Sequence, residues 1–146
     1  MDKSTKAINY FRNKFNCSQS VLTTFGSEYG LSEDECLRIA TAFGGGMGRQ
    51  QHICGAITGA LMVLGLIYGK GLNDPEENKR YTYQKTKEFF DEFIRLNGSA
   101  DCLKLLDGLD MNNPDDQKKI IERNYYGIRC EKYVSDAVII LTKIME

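Results

Sequence analysis

The residues of this chain best able to do chemistry are its five cysteines, Cys17, Cys36, Cys54, Cys102 and Cys130. A thiolate can attack a disulfide or bind a metal ion, and the protonated thiol does neither well. One stretch adds further possibilities. In FGGGMGRQQHICGAITGALMVLG, residues 43–65, Gly44, Gly45, Gly46 and Gly48 precede Arg49. The single histidine, His52, stands two residues before Cys54, and an uncharged apolar run follows. A phosphate cradle, a metal site, a membrane span and a redox cysteine can each be read into it.

Spacing and length weigh against several of these. There is no C-x-x-C and no C-x-x-C-H, so zinc-ribbon and c-type haem attachment readings lack support. A spanning helix needs about 20 apolar residues. The run from Ile53 to Tyr68 is shorter, is diluted by Gly55, Thr58, Gly59 and Gly65, and is closed by Lys70. It predicts a buried core helix and no membrane span. Glycines before a helix can hold an anion. Here they follow a predicted helix rather than a strand, and no Lys-Ser/Thr ending completes a P-loop. No Ser-His-Asp or paired-carboxylate pattern points to a hydrolase.

With 146 residues the chain is expected to form one domain. Its net charge is −1 and its lysines and arginines form no basic block, which argues against a nucleic-acid partner. Met1–Asn9 is polar and lacks the apolar core of a secretory signal. The expected location is therefore the cytoplasm, where thiols stay mostly reduced.

Helix punctuation is frequent and strand punctuation is nearly absent. Apolar spacing predicts a helix over Lys3–Phe15. Asn16 can cap a second helix, to about Tyr29, with Gly30 as its stop. Ser32 and Glu35 have the form of a capping box for a third helix, ending at the glycines. The apolar helix is expected from about His52 to Tyr68. Asp74-Pro75 opens a long amphipathic helix to about Leu96. Ser99 caps a short helix over 100–106, and Asn113-Pro114 starts another to about Arg123. The last is expected over about 128–145. The predicted fold is all-α: a compact single-domain bundle, residues 1–146, of about seven or eight helices around a buried Gly/Ala-rich central helix. Gly55 and Gly59, one turn apart, would let a neighbouring helix or a flat cofactor approach closely.

On this map four thiols fall at helix starts: Cys17 after the Asn16 cap, Cys54 in the first turn of the central helix, Cys102 three residues after Ser99, and Cys130 three after Gly127. Free N–H groups and the positive dipole end favour an anion there. Cys36 lies on an apolar stripe with Ala40 and Phe43 and reads as a core thiol.

The chain resembles a family named for its C…GCAxxG…C…C pattern. The resemblance rests on Asn16-Cys-Ser-Gln-Ser-Val-Leu22, Phe43-Gly-Gly-Gly-Met-Gly-Arg49, Cys54-Gly-Ala-Ile-Thr-Gly59, Asn97-Gly-Ser-Ala-Asp-Cys102 with Leu105-Leu106, and Cys130 with Tyr133-Val134. It implies that Cys17, Cys54, Cys102 and Cys130 are the family's four cysteines and that Cys36 stands outside them. Redox activity is inferred for the family from those cysteines. Members are said to lie near transporter genes, which implies a transporter-associated redox partner. A related domain is similar to part of a multihaem cytochrome, but without C-x-x-C-H covalent haem does not carry over.

Three functions remain open at this stage. In the first, thiols cycle between dithiol and disulfide without a cofactor. Cys54 is the expected attacking thiolate, supported by Arg49 and His52, with Cys17 a candidate resolving partner and Cys102 with Cys130 a second pair. In the second, the same four cysteines ligate zinc or an iron–sulfur cluster, with His52 as a substitute ligand. In the third, the protein is a non-catalytic binding module with an anion at the glycine loop. The redox partner and the oligomeric state are not specified by the sequence.

Overall fold

Local hydrogen bonds fix where most helices begin. The computed structural model describes all 146 residues. Helix α1, Lys3–Arg12, is capped by the Asp2 carboxylate, which accepts from the Thr5 amide at 2.7 Å. Helix α2, Cys17–Gly26, carries a reciprocal cap: Asn16 accepts from the Gln19 amide and Gln19 accepts from the Asn16 amide, both at 2.9 Å. Ser32 and Glu35 do the same for α3, Glu33–Ala40. Such caps satisfy donors that the helix itself leaves unpaired, each worth about 1 kcal/mol.

The remaining helices are α4, Gly55–Tyr68; α5, Glu77–Asn97; α6, Cys102–Leu105; α7, Pro114–Glu122; and α8, Glu131–Ile144. Gly98, at φ +84°, ends α5, and Asn113-Pro114 opens α7. A π-turn over Tyr126–Cys130 leads directly into α8. Residues Gly44–Met47 make one coil, but Gly45 and Gly46 are left-handed at φ +65° and +66°, so it is a turn rather than a helix. The fold is all-α, as expected, with eight helices and one isolated antiparallel bridge, Ile53–Asp101.

Helix α4 is the centre. Ala56, Ile57, Ala60, Val63 and Leu64 are fully buried, and the helix packs on α2, α5 and α8. Its glycines face α2. A Cβ on Gly59 would stand 2.7 Å from the Ser18 carbonyl oxygen, and one on Gly55 would stand 3.2 Å from the Cys17 Cβ. The small-residue face therefore receives a protein helix at Gly59, while Gly55 also borders the cavity described below. Phe89 and Phe93 of α5 stack at 6.2 Å, and Phe93 meets Tyr133 of α8 at 5.9 Å. Aromatic contacts of this kind add about 0.5–1.5 kcal/mol each beyond area burial.

Three element boundaries differ from expectation. Helix α4 starts at Gly55 rather than His52, because Gln51 is left-handed at φ +56° and Ile53 is held in the bridge. Helix α6 is shorter, and its cap residue is Asp101. The Ser99 hydroxyl instead accepts from the Asp101 amide at 3.0 Å, a turn ahead of the helix. The last helical segment begins at Tyr126 through the π-turn, before the expected start. No helix is long and apolar enough to cross a membrane.

Candidate functional site

The four cysteines of the motif line one cavity of about 500 Å³, and Cys36 does not. Cys36 is fully buried in the core instead, and a Cβ on Gly26 would collide with its sulfur. That agrees with the core role read from its apolar stripe.

Each thiol reaches the cavity by a different device. The Asn16 cap fixes Cys17 at the first residue of α2. Gly44 makes room for that cap, since a Cβ there would stand 2.3 Å from the Asn16 amide group. Cys54 and Cys102 flank the Ile53–Asp101 bridge. Its hydrogen bonds run from the Cys54 amide to the Ala100 carbonyl at 2.9 Å and from the Cys102 amide to the His52 carbonyl at 2.6 Å. This makes Cys54 and Cys102 diagonal neighbours on one side of the bridge, about 7–8 Å apart in regular ladders. Cys54 is the cap residue of α4 and Cys102 the first residue of α6. Cys130 departs from the helix-start pattern. It closes the π-turn and sits at the junction with α8.

The glycine turn is the wall behind Cys102. A Cβ on Gly46 would lie 2.8 Å from the Cys102 Cβ and 2.7 Å from the Gln51 Cα and His52 N. Its backbone is closed on itself: the amides of Gly48 and Arg49 bond the Gly44 carbonyl, that of Gln50 bonds Met47, that of Gln51 bonds Gly45, and that of His52 bonds Gly46. The donors that follow the glycines are thus already engaged, which removes the main support for a phosphate cradle.

Electrostatics sort the thiols into unlike pairs. Cys17 and Cys130 both line the cavity and influence each other's protonation. The interaction with Cys130, with burial, raises Cys17 well above the usual thiol range. The same interaction lowers Cys130, with help from the neighbouring Arg129 guanidinium and against the effect of burial. Cys54 is pushed up to about 12, chiefly by burial, although the Ala56 and Ile57 amides oppose the shift. Cys102 is also pushed up to about 12, by burial and then by its negative neighbours Cys130 and Asp101, with Gln51 opposing. Helix starts do lower a thiol, as expected, but here desolvation is the larger effect. Cys54, expected to be the thiolate, is held protonated by burial, and Cys17 is influenced by Cys130 first and by Cys54 less strongly.

The supporting residues are also redistributed. His52 is exposed, and its side chain does not line the cavity. Arg49 lies at the rim, with Nη2 donating to the Met111 carbonyl at 2.9 Å. Arg129 is the cation beside the low thiol. It pairs with Asp107 at 2.7 Å and stacks 3.9 Å over the Tyr125 ring, and Tyr125 donates to Asp107 at 2.7 Å. Gln51 is buried behind the lining residue Met111, donating to the Leu109 carbonyl at 3.0 Å and accepting from the Met111 amide at 2.9 Å. Tyr133 and Tyr126 complete the lining. Tyr133 donates to the Leu105 carbonyl at 2.8 Å and Tyr126 donates to Gln117 at 2.9 Å. Nothing in the spacing of Gln51, Arg129 or Tyr126 marks them in advance; only the left-handed turn and the π-turn bring them in.

No three His, Cys, Asp or Glu side chains are arranged to hold a metal ion. That does not fit a closed four-thiolate centre.

These features define an all-α protein with a thiol-lined cavity. The chain belongs to the family described as "Putative redox-active protein (C_GCAxxG_C_C)", whose profile matches residues 15–144. A protein of Archaeoglobus fulgidus described as "Uncharacterized protein" is 27% identical over 124 residues, covering 80% of this chain and 82% of its own. No solved structure matches.

Proposed function

We propose that the protein is a thiol–disulfide oxidoreductase in which Cys130 attacks and Cys17 resolves. The observation that carries this reading is that Cys17 and Cys130 line the same cavity as an interacting pair, one raised and the other lowered beside Arg129. Cys130 supplies the nucleophilic sulfur, and Cys17 supplies a protonated sulfur that keeps its proton until the first exchange is made. Attack by thiolate on a disulfide sulfur then yields a mixed disulfide, and a second exchange releases it as an intramolecular Cys17–Cys130 bond. Cys54 and Cys102 form a reserve couple across the bridge, raised too high to start the reaction. A reducing compartment such as the cytoplasm would keep all five cysteines free.

The test is elemental analysis with thiol titration on protein purified without oxygen. Metal-free protein losing two thiols on mild oxidation, with a Cys17–Cys130 linkage in the peptide map, is the expected result. Stoichiometric iron or zinc, or five thiols that do not react, would overturn the proposal.

A further inference from the structure

The cavity has a size and a charge that select among disulfides. Its volume is about 500 Å³, within the range of small-molecule sites. Its lining is mostly apolar, with Phe11, Leu105, Leu106 and Met111 among the walls. Arg49 is the one charged side chain that lines it.

Arg49 is placed there by the glycine turn. Gly45 is left-handed, and a Cβ on it would stand 3.1 Å from the Arg49 Cγ and 3.3 Å from the Met111 sulfur. Without that Cβ the arginine stem folds back over the turn, and one N–H reaches the Met111 carbonyl. Burial raises the Tyr126 hydroxyl, and the nearby Arg49 guanidinium partly opposes that shift. Only one of the five guanidinium donors has a protein partner in this arrangement, so others are available to an anion.

Access to the pair is restricted. Cys17 is 9% exposed and Cys130 is half-buried. A disulfide on a folded protein surface would have to enter a cavity whose walls are side chains of α1, α2, α6 and α8, whereas a small disulfide can enter whole.

We infer that the cavity binds small, largely apolar organic disulfides carrying a carboxylate, with Arg49 as the residue that selects the negative charge. This rests on the Cys130–Cys17 exchange proposed above. Cys130 thiolate attacks one sulfur of the disulfide, its S–S bond breaks, and one organic thiolate leaves and takes a proton from water. Cys17 then loses its proton to solvent and attacks the Cys130 sulfur, releasing the second organic thiolate. Two electrons pass from the protein dithiol to the organic disulfide, which leaves as two thiols.

The experiment compares oxidation rates of the full-length reduced protein by three reagents: dithiobis(nitrobenzoate), which is dianionic; dithiodipyridine, which is neutral; and cystamine, which is dicationic. Arg49→Gln should slow the dianionic reagent about tenfold, the equivalent of one charge-assisted contact. It should leave the neutral reagent within about twofold, and Arg49→Lys should recover most of the dianionic rate. In the unmodified protein, added salt should slow the dianionic reagent and not the neutral one. Equal salt dependence for the two reagents, an Arg49→Gln effect shared by both, or equally fast oxidation by a folded protein disulfide would each overturn the inference. If the neutral reagent itself fails to join Cys17 to Cys130, the oxidoreductase proposal fails instead, and the two failures are told apart by that arm.

Discussion

Cys17 and Cys130 line the same cavity, and their interaction raises the first and lowers the second. The two residues are far apart in sequence and belong to different helices. Their protonation is nonetheless one problem, because the charge on one bears on the proton held by the other.

Removing Cys17 should therefore change Cys130 and little else. Cys17→Ala is expected to move the pH midpoint of Cys130 alkylation upward, read site by site from peptide maps of iodoacetamide-treated protein. An unchanged midpoint would assign the low Cys130 value to Arg129 alone.

Alkaline pH should unfold the protein through its buried thiols. Cys54 and Cys102 hold their protons to about 12 in the folded state, whereas unfolded thiols lose theirs near pH 8.5. Their contribution is therefore full below about pH 8.5 and falls as pH rises toward 12, by up to about 1.4 kcal/mol per pH unit per thiol. Urea denaturation between these limits should show the decline, and Cys54→Ala with Cys102→Ala should make it shallower, with Cys17 supplying part of what remains.

Two glycines should respond oppositely to alanine. Gly46→Ala puts a side chain on a left-handed residue and against the backbone of Gln51 and His52. A loss of about 2–4 kcal/mol is expected. Gly65→Ala, exposed in α4 with nothing within 4 Å of the new Cβ, should gain about 0.5–1 kcal/mol. Chemical denaturation of both variants decides it, and equal effects would contradict the tight fit at Gly46.

Cys36 should be separable from the chemistry. Cys36→Ala should cost about 1 kcal/mol for the lost core contacts and leave thiol exchange with dithiodipyridine at its original rate. A slowed exchange would place Cys36 in the reaction after all.

Oxidation should stabilise the fold. A Cys17–Cys130 bond closes a loop of 130 − 17 = 113 residues, for which chain entropy gives roughly 4–5 kcal/mol. The urea midpoint of oxidised protein should exceed that of reduced protein, and an equal or lower midpoint would argue for another pairing.

Much of this architecture is legible in the chain. Asn16, Ser32 and Asn113-Pro114 act where they were expected to, because a cap needs only its own neighbours in sequence. The glycine turn and the small-residue face of α4 are legible for the same reason: each constrains backbone within a few residues. The common cavity is foreshadowed by the family pattern, which names the four cysteines but not their geometry. What sequence could not supply is set by distant residues. The start of α4 moved because Ile53 pairs with Asp101, and the order of thiol acidity reversed because burial outweighs the helix-start effect at Cys54. Gln51, Arg129 and Tyr126 entered the site through a left-handed residue and a π-turn, which carry no compositional signature.

The distance along the chain between Cys17 and Cys130 bears on how the protein is made. On the ribosome Cys17, Cys36, Cys54 and Cys102 all emerge before Cys130, and domains in general complete their long-range packing only when the chain is available. Oxidation during synthesis can therefore join Cys17 only to a cysteine other than Cys130. Thiols that stay reduced until the last helix has docked would keep the Cys17–Cys130 pairing open.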